Sequence, residues 1–163
     1  MPPATIRPAT AADVPLILQL IRELAEYERL AHEVTATEDD LRESLSGPQP
    51  IIEVIIAEAD GGVAGYALFF HNYSTFLCKR GVYLEDLFVR PPFRGRGIGK
   101  LLLSHLARLA VDRGCRRFEW AVLDWNESAI QFYRSLGAEP MNNWTVFRID
   151  DDALKRLAVS RSV

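Results

Sequence analysis

A chain of 163 residues predicts one domain, and a domain of that length buries about 70% of its unfolded surface without disulfides or metals. Hydrophobic residues at 48% and charged residues at 25% exclude a disordered or fibrous chain. The 22 acidic residues outnumber the 19 basic ones, and the net charge of −3 excludes nucleic acid as a main partner, because phosphate neutralisation needs a basic surplus.

Residues 1–7 carry no basic segment followed by an apolar run, and Val14 to Ile21 is broken by Pro15 and Gln19. The expectation is a cytoplasmic protein without membrane contact. Residues 4–8 predict a short strand stopped by Pro8, and Thr10 or Asp13 caps a helix running to about Leu30. A second helix follows Thr37 and ends at Gly47-Pro48. Ile51 to Ala59 and Val63 to His71 predict an antiparallel hairpin around Asp60-Gly61-Gly62. Residues 72–80 read as a loop and Gly81 to Arg90 as a strand.

A helix from Ile98 to Arg113 follows, stopped by Gly114. Then come a strand from Arg117 to Leu123, a helix from Asn126 to Leu136, a last strand from Trp144 to Ile149 and a terminal helix from Asp150 to Ala158. This order predicts a mixed α/β (α+β) fold with a partly antiparallel sheet flanked by helices, all in a single domain spanning residues 1–163.

The most informative stretch is Arg94-Gly95-Arg96-Gly97-Ile98-Gly99-Lys100, between a strand and a helix. A helix N-terminus offers unpaired N–H groups and a partial positive charge, so it binds anions. A phosphate-binding Walker loop fails here, because Arg94 stands where its first Gly belongs and Leu101 where its hydroxyl belongs. The Gly-x-Gly-x-Gly spacing is also a poor dinucleotide fingerprint.

Arg-x-x-Gly-x-Gly in this setting resembles the pyrophosphate loop of the GNAT superfamily of N-acetyltransferases. Further blocks agree: Ile6-Arg7-Pro8-Ala9-Thr10, Leu24-Ala25-Glu26-Tyr27-Glu28, Tyr83 to Val89, Ala121 to Asn126 and Phe132 to Ala138. Together they resemble the diamine (spermidine/spermine) acetyltransferases and, most of all, their thialysine N-epsilon-acetyltransferase branch. The resemblance implies a sheet of about six to seven strands with a splayed parallel pair holding acetyl-CoA. It also implies direct acetyl transfer, in a ternary complex, to a small primary amine, thialysine-, lysine- or diamine-like, and a homodimer, often with exchanged C-terminal strands.

By that resemblance Glu85 is the general base, and Tyr133 meets the CoA sulfur and protonates the leaving thiolate. Backbone groups of Leu87, Phe88 and Val89 pair with the pantetheine arm, Gly95 to Lys100 cradle the pyrophosphate, and Asn126 and Ala129 contact CoA. Arg94 opens the motif, where its side chain either joins that site or braces the turn. An acidic pair like Glu85 and Asp86 is usually a solvated one, but Leu84, Leu87, Phe88 and Val89 around it make an exposed surface less natural. Periodicity alone makes Tyr133 a core residue beside Ile130 and Leu136.

Tyr27, Glu28, Asp86, Ser74, Thr75 and Trp144 are the further acceptor-site candidates by resemblance. The polyamine branch has an acidic residue where Ser74 or Thr75 falls, whereas Tyr73-Ser74-Thr75-Phe76 follows the thialysine pattern. Removing a carboxylate there removes an anchor for a distant ammonium. Cys78 and Cys115 lack metal-ligand spacing and a neighbouring base in sequence, so neither a metal nor an acetyl-cysteine is expected. The alternatives are a protein lysine or N-terminal acetyltransferase, and a non-catalytic acetyl-CoA sensor.

Overall fold

A computed structural model describes residues 3–159. Its contacts divide the chain at Leu123/Asp124 into two compact units. The first holds β1 (Thr5–Pro8), α1 (Val14–Tyr27), α2 (Glu38–Ser46), β2 (Glu53–Ala59), β3 (Gly62–Ser74), β4 (Lys79–Val89), α3 (Ile98–Asp112) and β5 (Phe118–Trp120). The second holds α4 (Glu127–Ser135) and α5 (Asp151–Val159).

The five strands follow sequence order across one sheet. The first four run antiparallel to their neighbours, and β5 runs parallel to β4. Local chemistry sets the element ends. Thr37 N donates to Asp40 Oδ2 at 3.0 Å and Asp40 N donates to Thr37 Oγ1 at 3.2 Å, a reciprocal cap that starts α2. Asp60 (φ 53°) and Gly61 (φ 76°) both take the left-handed conformation that a tight hairpin between β2 and β3 requires.

Alternation along the strands gives the sheet two apolar faces. Val54, Ile56, Tyr66, Leu68 and Phe88 pack with Ile17, Leu20 and Leu24 of α1 and Leu41 of α2. On the opposite face α3 packs over β2, β3 and β4, and its Leu102, Leu103 and Leu106 are buried. Fully burying each of these leucines contributes roughly 1.5–3 kcal/mol.

Several elements differ from the sequence expectation. The sheet has five strands among the described residues, fewer than the six to seven expected. Residues 72–74 extend β3 and residues 79–80 extend β4, so the loop shrinks to 75–78. There Ser74, in the sheet, accepts from Leu77 N at 3.3 Å and closes the turn. Strand β5 covers three residues, 118–120, because its ladder with β4 ends at Leu84↔Trp120, just before a bulge in β4. Residues 144–149 form no strand: no ladder pairs with them among the described residues, and Trp144, Val146, Phe147 and Ile149 stand exposed. Alternating apolar residues become a strand only when a partner supplies the hydrogen bonds.

Candidate active site

The centre of the site is a register shift. Phe69 pairs with Leu84 and Leu68 with Asp86, so Glu85 is an extra residue in β4 opposite no partner. Such a bulge bends its strand and re-aims a side chain. Here it coincides with the point where β4 and β5 stop pairing. Glu85 is exposed, while Asp86 is partly buried on the α1 side of the sheet.

The Asp86 carboxyl is perturbed. Burial, the largest influence, raises its pKa, the charge of Glu85 raises it further, and a hydrogen bond from Tyr66 opposes both. That bond runs from the Tyr66 hydroxyl to Asp86 Oδ2 at 2.8 Å. Glu28, just past the end of α1, is likewise raised, first by burial and then by the charge of Asp86. Tyr66 was absent from the sequence-level candidates. Its only sequence signal was a phenol in a strand otherwise rich in apolar and small residues, a position that demands a hydrogen-bond partner.

Below β4 the chain passes a 3-10 turn at Pro91–Phe93 and enters α3 through glycines. Gly95 (φ 73°) and Gly97 (φ 79°) are both left-handed, and a side chain at either would meet nothing within 4 Å. Gly97 is the N-cap of α3, so no side chain caps the helix, and its first turn carries no acidic residue. The amides at this end have no side-chain cap and no acidic residue in the first turn, an arrangement suited to an anionic group such as a diphosphate. Arg96 and Lys100 are exposed beside it, and Arg96 pairs with Asp60 at 2.7 Å.

Arg94 makes its contacts within the first unit. Its Nε donates to Val89 O at 2.8 Å, and its guanidinium lies over the Tyr27 ring at 4.7 Å and the Phe88 ring at 5.7 Å. The first unit thus brings Tyr27, Glu28, Asp86 and the end of β4 into one connected neighbourhood. Ser74 and Thr75 lie at the far end of the β3–β4 hairpin, where Ser74 is buried and Thr75 exposed.

The second unit carries Asn126, Ala129, Tyr133 and Trp144. Asn126 caps α4, its Oδ1 accepting from Ala129 N at 3.3 Å and Ser128 Oγ at 3.3 Å. Tyr133 is half-buried, with its ring 5.5 Å from that of Phe132. Trp144 is exposed.

The profile of the Acetyltransferase (GNAT) family matches residues 16–138. The chain belongs to this family. It is an acyltransferase of the mixed α/β GNAT fold. Thialysine N-epsilon-acetyltransferase of Bos taurus is 41% identical, over 94% of this chain and 96% of its own. An L-ornithine N5-acetyltransferase of Arabidopsis thaliana is 36% identical, over 93% of this chain and 86% of its own. Among solved structures, an integron cassette protein from the mobile metagenome of V. cholerae superposes with a TM-score of 0.80 at 28% identity, over 96% of this chain and 98% of that one. No helix among the described residues is long and apolar enough to cross a membrane.

In the fold Cys115 Sγ lies 3.9 Å from His71 Nδ1, a neighbour that is distant in sequence. That nitrogen is 2.9 Å from the Gly81 carbonyl, while Nε2 sits 2.9 Å from an Arg113 nitrogen. These partners assign the proton to Nδ1, which leaves no basic nitrogen facing the thiol. The GNAT enzyme's His71 is a structural residue.

Proposed function

We propose that this GNAT enzyme transfers an acetyl group from acetyl-CoA directly to a small primary amine with a lysine-like body, such as thialysine. The observation that carries the proposal is the bulge at Glu85, which leaves this residue outside the ladder and exposed where the parallel strands part. The high identity to thialysine acetyltransferases along nearly the whole chain supports the acceptor class. The family match crosses the Leu123/Asp124 division, in keeping with one functional domain.

When bound, acetyl-CoA supplies an activated thioester carbonyl. The α3 N-terminus with Gly95 to Lys100 holds the diphosphate, and main-chain groups of Leu87, Phe88 and Val89 take the pantetheine arm as an added strand. An N–H of that strand end polarises the carbonyl. An alkylamine arrives protonated, with an ordinary pKa of about 10.4, so it must lose a proton before it attacks. Asp86 and Glu28, both short of compensating positive charge, attract the ammonium, and Tyr27 flanks it. Glu85 takes the proton, directly or through water. Tyr133 donates a proton to the departing thiolate, and Asn126 and Ala129 support the cofactor. The exposed apolar run of Trp144, Val146, Phe147 and Ile149 supports a homodimer built by strand exchange.

The test is a turnover screen over thialysine, lysine, ornithine, spermidine and lysine peptides, read by free thiol release. Thialysine and lysine are expected to lead in kcat/KM. Tyr133→Phe is expected to lower kcat by about 100-fold with acetyl-CoA affinity kept, and Glu85→Gln to flatten the alkaline rise in rate. Coenzyme A binding without thiol release on any amine would sink the proposal.

A further inference from the structure

Tyr66 sits in the middle of β3 with its side chain completely buried. A phenylalanine would fill the same space without a hydroxyl to satisfy, so the phenol at this position calls for a reason. Its single polar atom donates to Asp86 Oδ2 at 2.8 Å. The register explains how they meet. Tyr66 pairs with Phe88 and Leu68 with Asp86, so the phenol reaches diagonally across one face of the ladder to a residue next to the bulge.

Counted from the β3–β4 turn, a ladder without the bulge would set Glu85 opposite Leu68 and move Asp86 opposite Ala67, on the face away from Tyr66.

The geometry points to Tyr66 as a positioning residue for acceptor recognition, whose buried hydroxyl fixes the Asp86 carboxylate through Oδ2 and leaves Oδ1 for the acceptor's ammonium. This rests on the amine-acetylation reading above and deepens it, because it makes a residue inside the sheet a determinant of acceptor affinity.

The surrounding charges show why a donor is needed. Glu85 on β4 and Glu28 past the end of α1 add negative charge around Asp86. Glu23 of α1 also acts on Tyr66, but its carboxylate is tied to Arg90 at 2.7 and 2.8 Å. The Tyr66 hydrogen bond is the influence that lowers the Asp86 pKa against burial and Glu85. Losing it lets Asp86 take up a proton at higher pH, and a protonated Asp86 binds an ammonium poorly.

The experiment measures kcat and KM for thialysine and for acetyl-CoA across pH, in wild type, Tyr66→Phe, Asp86→Asn and the double variant. Tyr66→Phe is expected to raise the amine KM roughly fivefold near neutrality, with kcat and the acetyl-CoA KM within about twofold. The acid limb of kcat/KM for the amine should move to higher pH by about half a unit or more. In the Asp86→Asn background the same change should alter the amine KM by less than about twofold. Thialysine turnover by wild type together with an unmoved acid limb and amine KM in Tyr66→Phe overturns the role of Tyr66 alone. An undiminished Tyr66 effect in the Asp86→Asn background does the same. A wild-type enzyme that acetylates no amine overturns the acceptor reading itself, and this role with it.

Discussion

Strand β3 touches two polar clusters, one on each face of the sheet, and they are built on opposite charge logic. On the α3 side, Arg113 donates to both Glu53 oxygens at 2.5 and 2.8 Å and lies beside His71. Glu53 and Arg113 pair with each other, and the Arg113 hydrogen bond holds the Glu53 carboxyl below its ordinary value. On the α1 side, burial first pushes Asp86 and Glu28 up, the charge of Glu85 adds to it at Asp86 and that of Asp86 at Glu28, and a neutral phenol is the donor to Asp86. A carboxylate given its own guanidinium strengthens the fold. Carboxylates left to repel one another weaken it slightly and stay ready for a cation that arrives from solution.

The contrast breaks most visibly at Asp86. Asp86→Asn keeps an acceptor for the Tyr66 hydroxyl but removes the charge. The amine KM is expected to rise at least about tenfold, while stability at neutral pH rises on the order of 1 kcal/mol. The sign follows from a folded pKa above the unfolded one. Ionised Asp86 opposes folding above its folded pKa, and that penalty fades as pH falls toward the unfolded value. Urea unfolding at neutral and mildly acidic pH, set beside amine kinetics, checks both halves. A loss of stability in this variant would contradict the contrast.

The opposite response is expected on the α3 side. Arg113→Ala should cost about 1–2 kcal/mol, with the partly exposed pair discounted for solvent screening, and leave kcat/KM within about twofold. Because the Glu53 pKa is lowered on folding, this stabilisation is present above the unfolded carboxylate pKa. It is lost as pH falls through the folded value. Wild type and Arg113→Ala should therefore converge in stability on acidification, as urea midpoints across pH would reveal.

These clusters also mark where sequence reading stops. The helix start after Thr37, the Asp60-Gly61 turn and the glycine entry to α3 are legible because each depends on a few neighbouring residues. The pairing of Tyr66 with Asp86 is not, since it depends on one extra residue in β4 and no period in the sequence locates a bulge. The run from Trp144 to Ile149 has strand-like residues but no ladder among the described residues, so its composition overstated its structure. Cys115 and His71 are 44 residues apart in the chain and meet across an α3-to-β5 connection that sequence alone does not bring together.

The smallest effect is expected at Arg94, and it sharpens the contrast because this cation lies near the acidic cluster without neutralising it. Its Nε holds Val89 O, and its plane covers Tyr27. A lysine keeps the charge, but it has no planar fork to donate and stack at once. If Arg94 acts as a brace, Arg94→Lys and Arg94→Ala should behave alike, each raising the acetyl-CoA KM about threefold with little change in kcat. If Arg94 served as a positive charge for the diphosphate, lysine would stay near wild type, and alanine alone would weaken binding, more so at low salt. Calorimetric titration of coenzyme A against both variants at two ionic strengths separates these outcomes. A lysine variant that matches wild type would return Arg94 to the anion site and leave the uncompensated state of Asp86 and Glu28 without its explanation.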